Sequence, residues 1–356
     1  VDSRLVRLRA ELAKKHLDAF LTRKMENVFY LSGFTGDTGA ILVTMDDAYF
    51  FADSRFTLQA SQEAIGFEVV PVERSYFESI ATFLKKKKWA EIGIEANDLN
   101  VGAYNKLCDL VGPTINFRPE DQLIETLRSV KDEGELKIMQ QAVELTEQAF
   151  EQIIPLIKPG VTERQLQVEL IKIMYEYGFS GPSFDFIIAS GPRGALPHGV
   201  ATDRVIQSGE MVTFDIGGIF QHYCSDMTRT VAVGEPSSQL REIYEVVLAA
   251  QNAAEQAVWP GVTGQMVDQV ARQVIQEAGY GEYFGHGLGH GVGLEIHELP
   301  VASPKGTTML VPQMVITIEP GVYIPGLGGV RIENELVVTA DGASALNRFT
   351  KELLVL

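Results

Sequence analysis

The sequence predicts an α+β protein in two domains, a smaller mixed α/β domain over residues 1–125 and a larger one over residues 126–356 built from two related halves. Three observations predict it. Lys158-Pro-Gly-Val-Thr162 and Trp259-Pro-Gly-Val-Thr263 each open a helix, one running to Tyr177-Gly-Phe and the other to Ala278-Gly-Tyr. Each follows a long apolar-periodic stretch, residues 133–157 and 240–258, and each precedes β-branched segments carrying isolated acids. Finally, 356 residues at roughly 100–200 per domain suggest two domains with ample core. A repeat of this size does not make a solenoid. It predicts two α+β halves facing each other, with helices outside a curved antiparallel sheet.

The amino-terminal elements follow in order. A helix over residues 5–12 is amphipathic, and short strands follow at 18–21, 40–44 and 49–52. The last two flank Met45-Asp-Asp and read as a hairpin. Asp53-Ser-Arg55-Phe reads as a capped helix start. Helices over about 76–87 and 99–110 alternate with the strand Glu91-Ile-Gly-Ile-Glu95, as in a mixed α/β domain. Lys85-Lys-Lys-Lys88 is a solvated helix end, where the helix dipole favours cations. Arg118-Pro-Glu-Asp-Gln reads as the connector to the second domain.

The second domain concentrates the chemistry. Three of the six histidines fall in His286-Gly-Leu-Gly-His290-Gly-Val-Gly-Leu-Glu-Ile-His297. Imidazole serves both divalent metals and proton transfer near neutral pH, and the interleaved glycines let the backbone bend tightly around something small. Four acids sit in or beside strand-like apolar stretches: Asp215 after Met211-Val-Thr-Phe, Asp226 before Thr228–Val233, Glu319 after Met314-Val-Ile-Thr-Ile, and Glu333 before Leu336-Val-Val-Thr. A carboxylate on a buried strand is costly unless paired or bound to a cation. Two divalent cations would neutralise the four charges, whereas one would leave the site negative, so a two-metal site is favoured. Oxygen-rich ligation with one imidazole suits Mn2+ or Co2+ better than a thiolate-type zinc site, and zinc stays open. Paired metals activate water, which predicts hydrolysis.

Taken singly, these residues have plainer readings. One strand-end aspartate is a cap or turn residue. His222, beside Tyr223, reads as a solvated hairpin histidine, His16 as exposed on a helix face, and His198 in Ala195-Leu-Pro-His198-Gly as a loop histidine. It is the joint pattern within one part of the chain that points to a site.

The order Asp215, Asp226, His290, Glu319, Glu333 resembles that of the pita-bread metallopeptidases, which include methionine aminopeptidases, aminopeptidase P and prolidase. Leu196-Pro-His198-Gly, Ser225-Asp226-Met-Thr-Arg-Thr, the histidine run through Glu298, and Gly329-Val-Arg331-Ile-Glu333 are similar to motifs of the Xaa-Pro peptidases. The resemblance implies that the five named residues are metal ligands, with Asp215 chelating one ion and Asp226 and Glu333 bridging both. His290 and Glu319 would complete the separate shells. His198, His286 and His297 resemble histidines that line the substrate site. His297 is expected to hold the scissile carbonyl and stabilise the oxyanion, and His198 to help hold the substrate. Glu319 is expected to carry the proton to the leaving imino nitrogen. Arg331, two positions before Glu333 on an expected strand, would share its face and support the carboxylates.

The activity so implied is that of an Xaa-Pro aminopeptidase, with Xaa-Pro dipeptidase (prolidase) as the alternative. Asn27-Val-Phe-Tyr-Leu-Ser-Gly-Phe-Thr-Gly and Ala52-Asp-Ser-Arg tilt the reading towards the aminopeptidase. A non-catalytic binding module is a further alternative. The complete ligand set argues against a metal-free enzyme such as creatinase, and the separate amino-terminal domain argues against methionine aminopeptidase. The resemblance also implies a homodimer. A net charge of −17 argues against nucleic acid as a partner. Two cysteines in different regions, with no signal-peptide pattern and no long apolar span, predict a reduced, cytoplasmic protein without a membrane partner.

Overall fold

The computed structural model describes residues 2–356, which divide into two compact units, one ending at Arg128 and the other spanning Ser129–Leu356. The first holds a six-stranded sheet in the order Glu68–Pro71, Ala48–Ala52, Ala40–Thr44, Ala19–Thr22, Glu91–Glu95, Asn116–Glu120. Ala40–Thr44 and Ala48–Ala52 form the expected hairpin, with Val43 opposite Ala48. The outer pairs are parallel. Leu21, Leu42, Phe51, Ile92 and Ile94 pack with Ile80, Leu84, Leu107 and Val111 from the helices Tyr76–Leu84 and Val101–Val111.

Four details differ from the sequence reading. Arg118-Pro-Glu is not a connector but part of the strand Asn116–Glu120, at the sheet edge. An edge position tolerates Pro119 because its missing N–H breaks no inner ladder. Helix Met25–Ser32 carries no side-chain cap and so lacks the usual start signal, and helix Thr57–Glu63, which begins just after the expected Asp53-Ser-Arg55-Phe, is not capped by a side chain either. Asp53 shapes the turn ahead of the second of these, accepting Arg55 N–H at 3.0 Å, and does not cap the helix. His16 lies just past the helix Asp2–Lys15 at φ 55, exposed but not on the helix.

In the second unit the repeat is structural. Helices Glu133–Ile153 and Glu163–Glu176 form one pair, Ser238–Ala257 and Gly264–Glu277 the other. In each Pro-Gly-Val-Thr segment the glycine takes a left-handed turn, Gly160 and Gly261 both at φ 93, a conformation that costs glycine no Cβ clash. The threonine then caps the helix: Thr162 accepts from Gln165 N–H and Thr263 from Met266 N–H. Each cap contributes about 1 kcal/mol.

The first helix pair covers the ladder Ile187–Ser190, Glu210–Ile216, Met227–Val233, burying Phe150, Leu166 and Leu170 against Phe214 and Val231. The second covers Val315–Ile318, Asn334–Thr339, Gly342–Ala345, with Ile243, Val247 and Ile275 on Ile316, Ile318 and Leu336. Short hairpins Gly289–Gly291/Glu298–Ala302 and Gly321–Ile324/Gly328–Arg331 complete the second half. The halves are stitched where Glu333 N–H donates to Thr228 O at 3.1 Å. Beside this, Arg331 N–H donates to Thr230 Oγ1 at 3.2 Å. No helix among the described residues is long and apolar enough to cross a membrane.

Candidate metal centre

Strand alternation aims the acids inward. On Glu210–Ile216, Val212, Phe214 and Ile216 face the helices, which turns Thr213 and Asp215 to the opposite side. Thr213 Oγ1 meets Thr230 Oγ1 there at 3.0 Å. In the second half Ile316 and Ile318 face the helices, leaving Thr317 to accept His290 N–H at 3.1 Å. Asp226 and Glu333 immediately precede the strands Met227–Val233 and Asn334–Thr339, on the seam between the halves.

One cavity of about 410 Å³ is lined by Asp215, Asp226, His290, Glu319 and Glu333, together with His198, His286, His297 and Arg331. All nine residues marked in the sequence therefore converge. Its apolar wall includes Phe184, Ile187, Pro197, Val200 and Ile296. One ligand atom from each of Asp226, His290 and Glu333 lies within 4.8 Å of the others. His290 Nε2 is 3.5 Å from Asp226 Oδ2 and 3.4 Å from Glu319 Oε1, while its Nδ1 faces Gly291 O at 3.0 Å. A carbonyl at Nδ1 calls for the proton there and leaves the Nε2 lone pair facing the carboxylates. Burial and the neighbouring His297 hold His290 down to about 4, so it is neutral at pH 7. His222, by contrast, lies in the exposed turn between Gly218–Phe220 and Tyr223–Cys224.

The donor set fits divalent ions. Asp215 Oδ1, Asp226 Oδ1 and Glu333 Oε1 are buried without a hydrogen-bond partner, an arrangement that is costly unless a cation meets them. Burial, followed by the charges of Glu333 and Asp215, pushes Asp226 well above the usual carboxylate range. Glu333 is pushed the same way by burial and then by Glu319 and Asp215, and burial raises Glu319 to about 8. A bound cation would reverse this mutual repulsion.

Behind the candidate ligands lies a second layer of contacts, of which the sequence announced only Arg331 as a support for the carboxylates. Arg331 Nη2 donates to Asp215 Oδ2 at 2.7 Å and Nη1 to Tyr323 Oη at 2.8 Å. Tyr323 Oη lies 2.8 Å from His286 Nε2, and His286 Nδ1 lies 2.7 Å from Gly287 O. With the His286 proton on Nδ1, Tyr323 donates to Nε2, making a chain His286–Tyr323–Arg331–Asp215. Thr228 Oγ1 donates to Glu333 Oε2 at 2.7 Å, and Glu335 Oε1 accepts Asp226 N–H at 2.7 Å. The strand Gly328–Arg331 ends before Glu333, so the expected single strand face is not what joins Arg331 to Glu333. Both line the same cavity, and the carboxylate that Arg331 bonds is that of Asp215. His198 and His297 are exposed on its wall, and the His297 ring stands edge-on to His290 with centroids 4.3 Å apart.

Residues 137–340 match metallopeptidase family M24, and residues 4–130 match the Creatinase/Prolidase N-terminal domain. The chain belongs to metallopeptidase family M24. It is 41% identical over 343 residues to the Xaa-Pro dipeptidase of Pyrococcus horikoshii, covering 96% of this chain and 95% of that one. Its fold superposes on the Xaa-Pro dipeptidase from Bacillus anthracis with a TM-score of 0.96, 41% identity and 99% of each chain covered. Against the X-Pro aminopeptidase from Thermotoga maritima the TM-score is 0.89, with 38% identity over 96% of this chain and 98% of that one. The M24 chain is thus a pita-bread metallo-exopeptidase behind a creatinase-type amino-terminal domain. The family implies divalent metal ions and a peptide substrate.

Proposed function

We propose that this M24 peptidase is an Xaa-Pro dipeptidase holding two divalent ions, Mn2+ foremost, through Asp215, Asp226, His290, Glu319 and Glu333. The observation that carries the metal reading is the set of unpartnered buried oxygens on Asp215, Asp226 and Glu333 in one cavity. Full-length similarity to the Pyrococcus horikoshii and Bacillus anthracis dipeptidases favours the dipeptidase over the aminopeptidase towards which the motifs tilt.

When bound, the ions supply Lewis acidity towards a water and the scissile carbonyl. The chain's own residues do the rest. His297, exposed to the cavity, donates to the carbonyl oxygen as negative charge develops. Glu319 takes the proton from the attacking water and delivers it to the proline nitrogen, which must be protonated before it departs. His198 helps hold the substrate, while His286, whose two ring nitrogens face Gly287 O and Tyr323 Oη, lines its site. Arg331 keeps Asp215 in place. Proline's nitrogen carries no N–H and its ring fixes φ, so the substrate is gripped through apolar contact, for which Phe184, Ile187 and Val200 are available.

The second reading, Xaa-Pro aminopeptidase, is favoured by the Thermotoga maritima similarity. Hydrolysis of Xaa-Pro and of Xaa-Pro-Yaa-Zaa by metallated protein decides between them. The dipeptidase reading expects the dipeptide to be cut and the longer peptide to be strongly disfavoured. Equal or better cleavage of the longer peptide returns the assignment to the aminopeptidase, and no cleavage of either leaves the binding-module reading.

A further inference from the structure

Lys131 Nζ lies 2.7 Å from Glu298 Oε1, and the two side chains are only 1% and 2% exposed. Neither residue lines the metal cavity. Their importance comes from what each end of the pair is attached to.

Glu298 directly follows His297 and begins the strand that pairs with Gly289–Gly291, so that Gly291 faces Glu298 and His290 faces Val301. Residues 292–297 thus form the connection of a hairpin whose two ends present the His290 and His297 rings to each other. Within this connection Val292 is buried, Gly293 has no side chain to pack with, and Leu294, Glu295, Ile296 and His297 are only half-buried or exposed. It is also tied down from outside. Gly293 O accepts Cys224 N–H at 2.8 Å, and a Cβ on Gly293 would lie 2.2 Å from Glu298 Oε1, so the carboxylate packs on the glycine backbone. Lys131 reaches the carboxylate from a fixed base: its N–H donates to Gln313 O at 3.0 Å, and Val130 bridges Met314 at the head of the strand leading to Glu319.

A sealed ion pair is a weak device for stability, because apolar replacements of similar volume often serve as well. It is a good device for fixing one geometry at a functional site. We infer that Lys131, acting through Glu298, is a positioning residue that holds the His297 imidazole in its working orientation over the cavity. The inference rests on the peptidase reading of this site.

The test compares Lys131→Met, Lys131→Arg and the double variant Lys131→Met/Glu298→Gln, which strands no charge. A shift of about 1 Å in a reacting group can lower turnover on the order of 100-fold. Lys131→Met is therefore expected to lower kcat at least about tenfold, with KM and metal content near wild type. Lys131→Arg, which keeps the cation, is expected to recover much of the loss. In metal-free protein the imidazole NMR signal of His297, assigned with His297→Ala, is expected to move in Lys131→Met while that of His16 stays. Unchanged kcat or an unmoved His297 signal in folded Lys131→Met overturns the inference, as does metal lost in proportion to activity. If Lys131→Met does not fold, the double variant decides: loss of kcat with a shifted signal supports the inference, and wild-type kcat overturns it. Failure of both variants to fold reduces Lys131 to a structural role and equally overturns it. Failure of the wild-type protein to cleave any Xaa-Pro peptide would instead sink the peptidase reading, and the NMR shift would still report on the hold of Lys131.

Discussion

Glu335 Oε1 accepts the backbone N–H of Asp226 at 2.7 Å, with both residues buried. The bond crosses from the second half of the peptidase unit to the first and fixes the chain at the point where a proposed metal ligand leaves it. Glu335 is held in turn by its own N–H, which donates to Asn347 Oδ1 at 2.7 Å. Glu335→Ala is expected to weaken metal affinity about 10–100-fold, in line with other contacts that orient ligands. Glu335→Gln, which keeps an acceptor, is expected to lose less. Competition against a chelator measures both, and equal affinities in the two variants would refute the role.

Asp226→Ala and Glu333→Ala are each expected to lose both ions, since each residue is proposed to bridge them, and to keep less than about a thousandth of the activity. His290→Ala is expected to weaken mainly one site. A full pair of ions found in Asp226→Ala by elemental analysis would remove the bridging assignment.

His297→Ala separates ligand from catalyst. Its metal content is expected to match wild type, while kcat falls about 100-fold or more through the lost oxyanion contact. His222→Ala, in its exposed turn, is expected to change stability by no more than about 0.5 kcal/mol and leave kcat unaltered. Parallel loss of metal in the two variants would end this division of labour.

Glu163 gives the fold an acid-sensitive joint. Burial pushes its carboxyl up, but Arg193 together with the Ser190 and Thr202 donors outweighs burial and holds it below its usual range. A carboxyl depressed in the folded state adds stability above its unfolded value of about 4.5, and that stability is lost as pH falls through the folded value. Urea unfolding of wild type and Glu163→Gln is therefore expected to show a gap at pH 7 that narrows as the pH drops below about 4.5. A gap independent of pH would contradict this.

The repeat was legible because each Pro-Gly-Val-Thr segment carries its own physics, a left-handed glycine and a capping threonine within five residues of sequence. The acids were legible because a charge in an apolar strand needs a reason. Contacts that join distant parts of the chain were not. Lys131 meets Glu298 across 167 positions and Asp226 meets Glu335 across 109, and no local pattern announces either partner. Tyr323 was hidden for the same reason, although its place just after Glu319-Pro-Gly-Val was in plain view. Pro119 concealed the edge strand Asn116–Glu120, and the uncapped helix Met25–Ser32 offered no start signal.

The proposed ligands are shared between the halves: Asp215 and Asp226 come from one, His290, Glu319 and Glu333 from the other. An ion that needs both halves in register would bind only the assembled unit, so its supply would govern how long the protein survives as well as how fast it works. At free ion about a hundredfold above the dissociation constant, this linkage is worth about 2.7 kcal/mol against any opening that separates the halves. Metal starvation would then leave an enzyme that is silent and also more readily degraded, and its abundance would follow the ion supply of its surroundings.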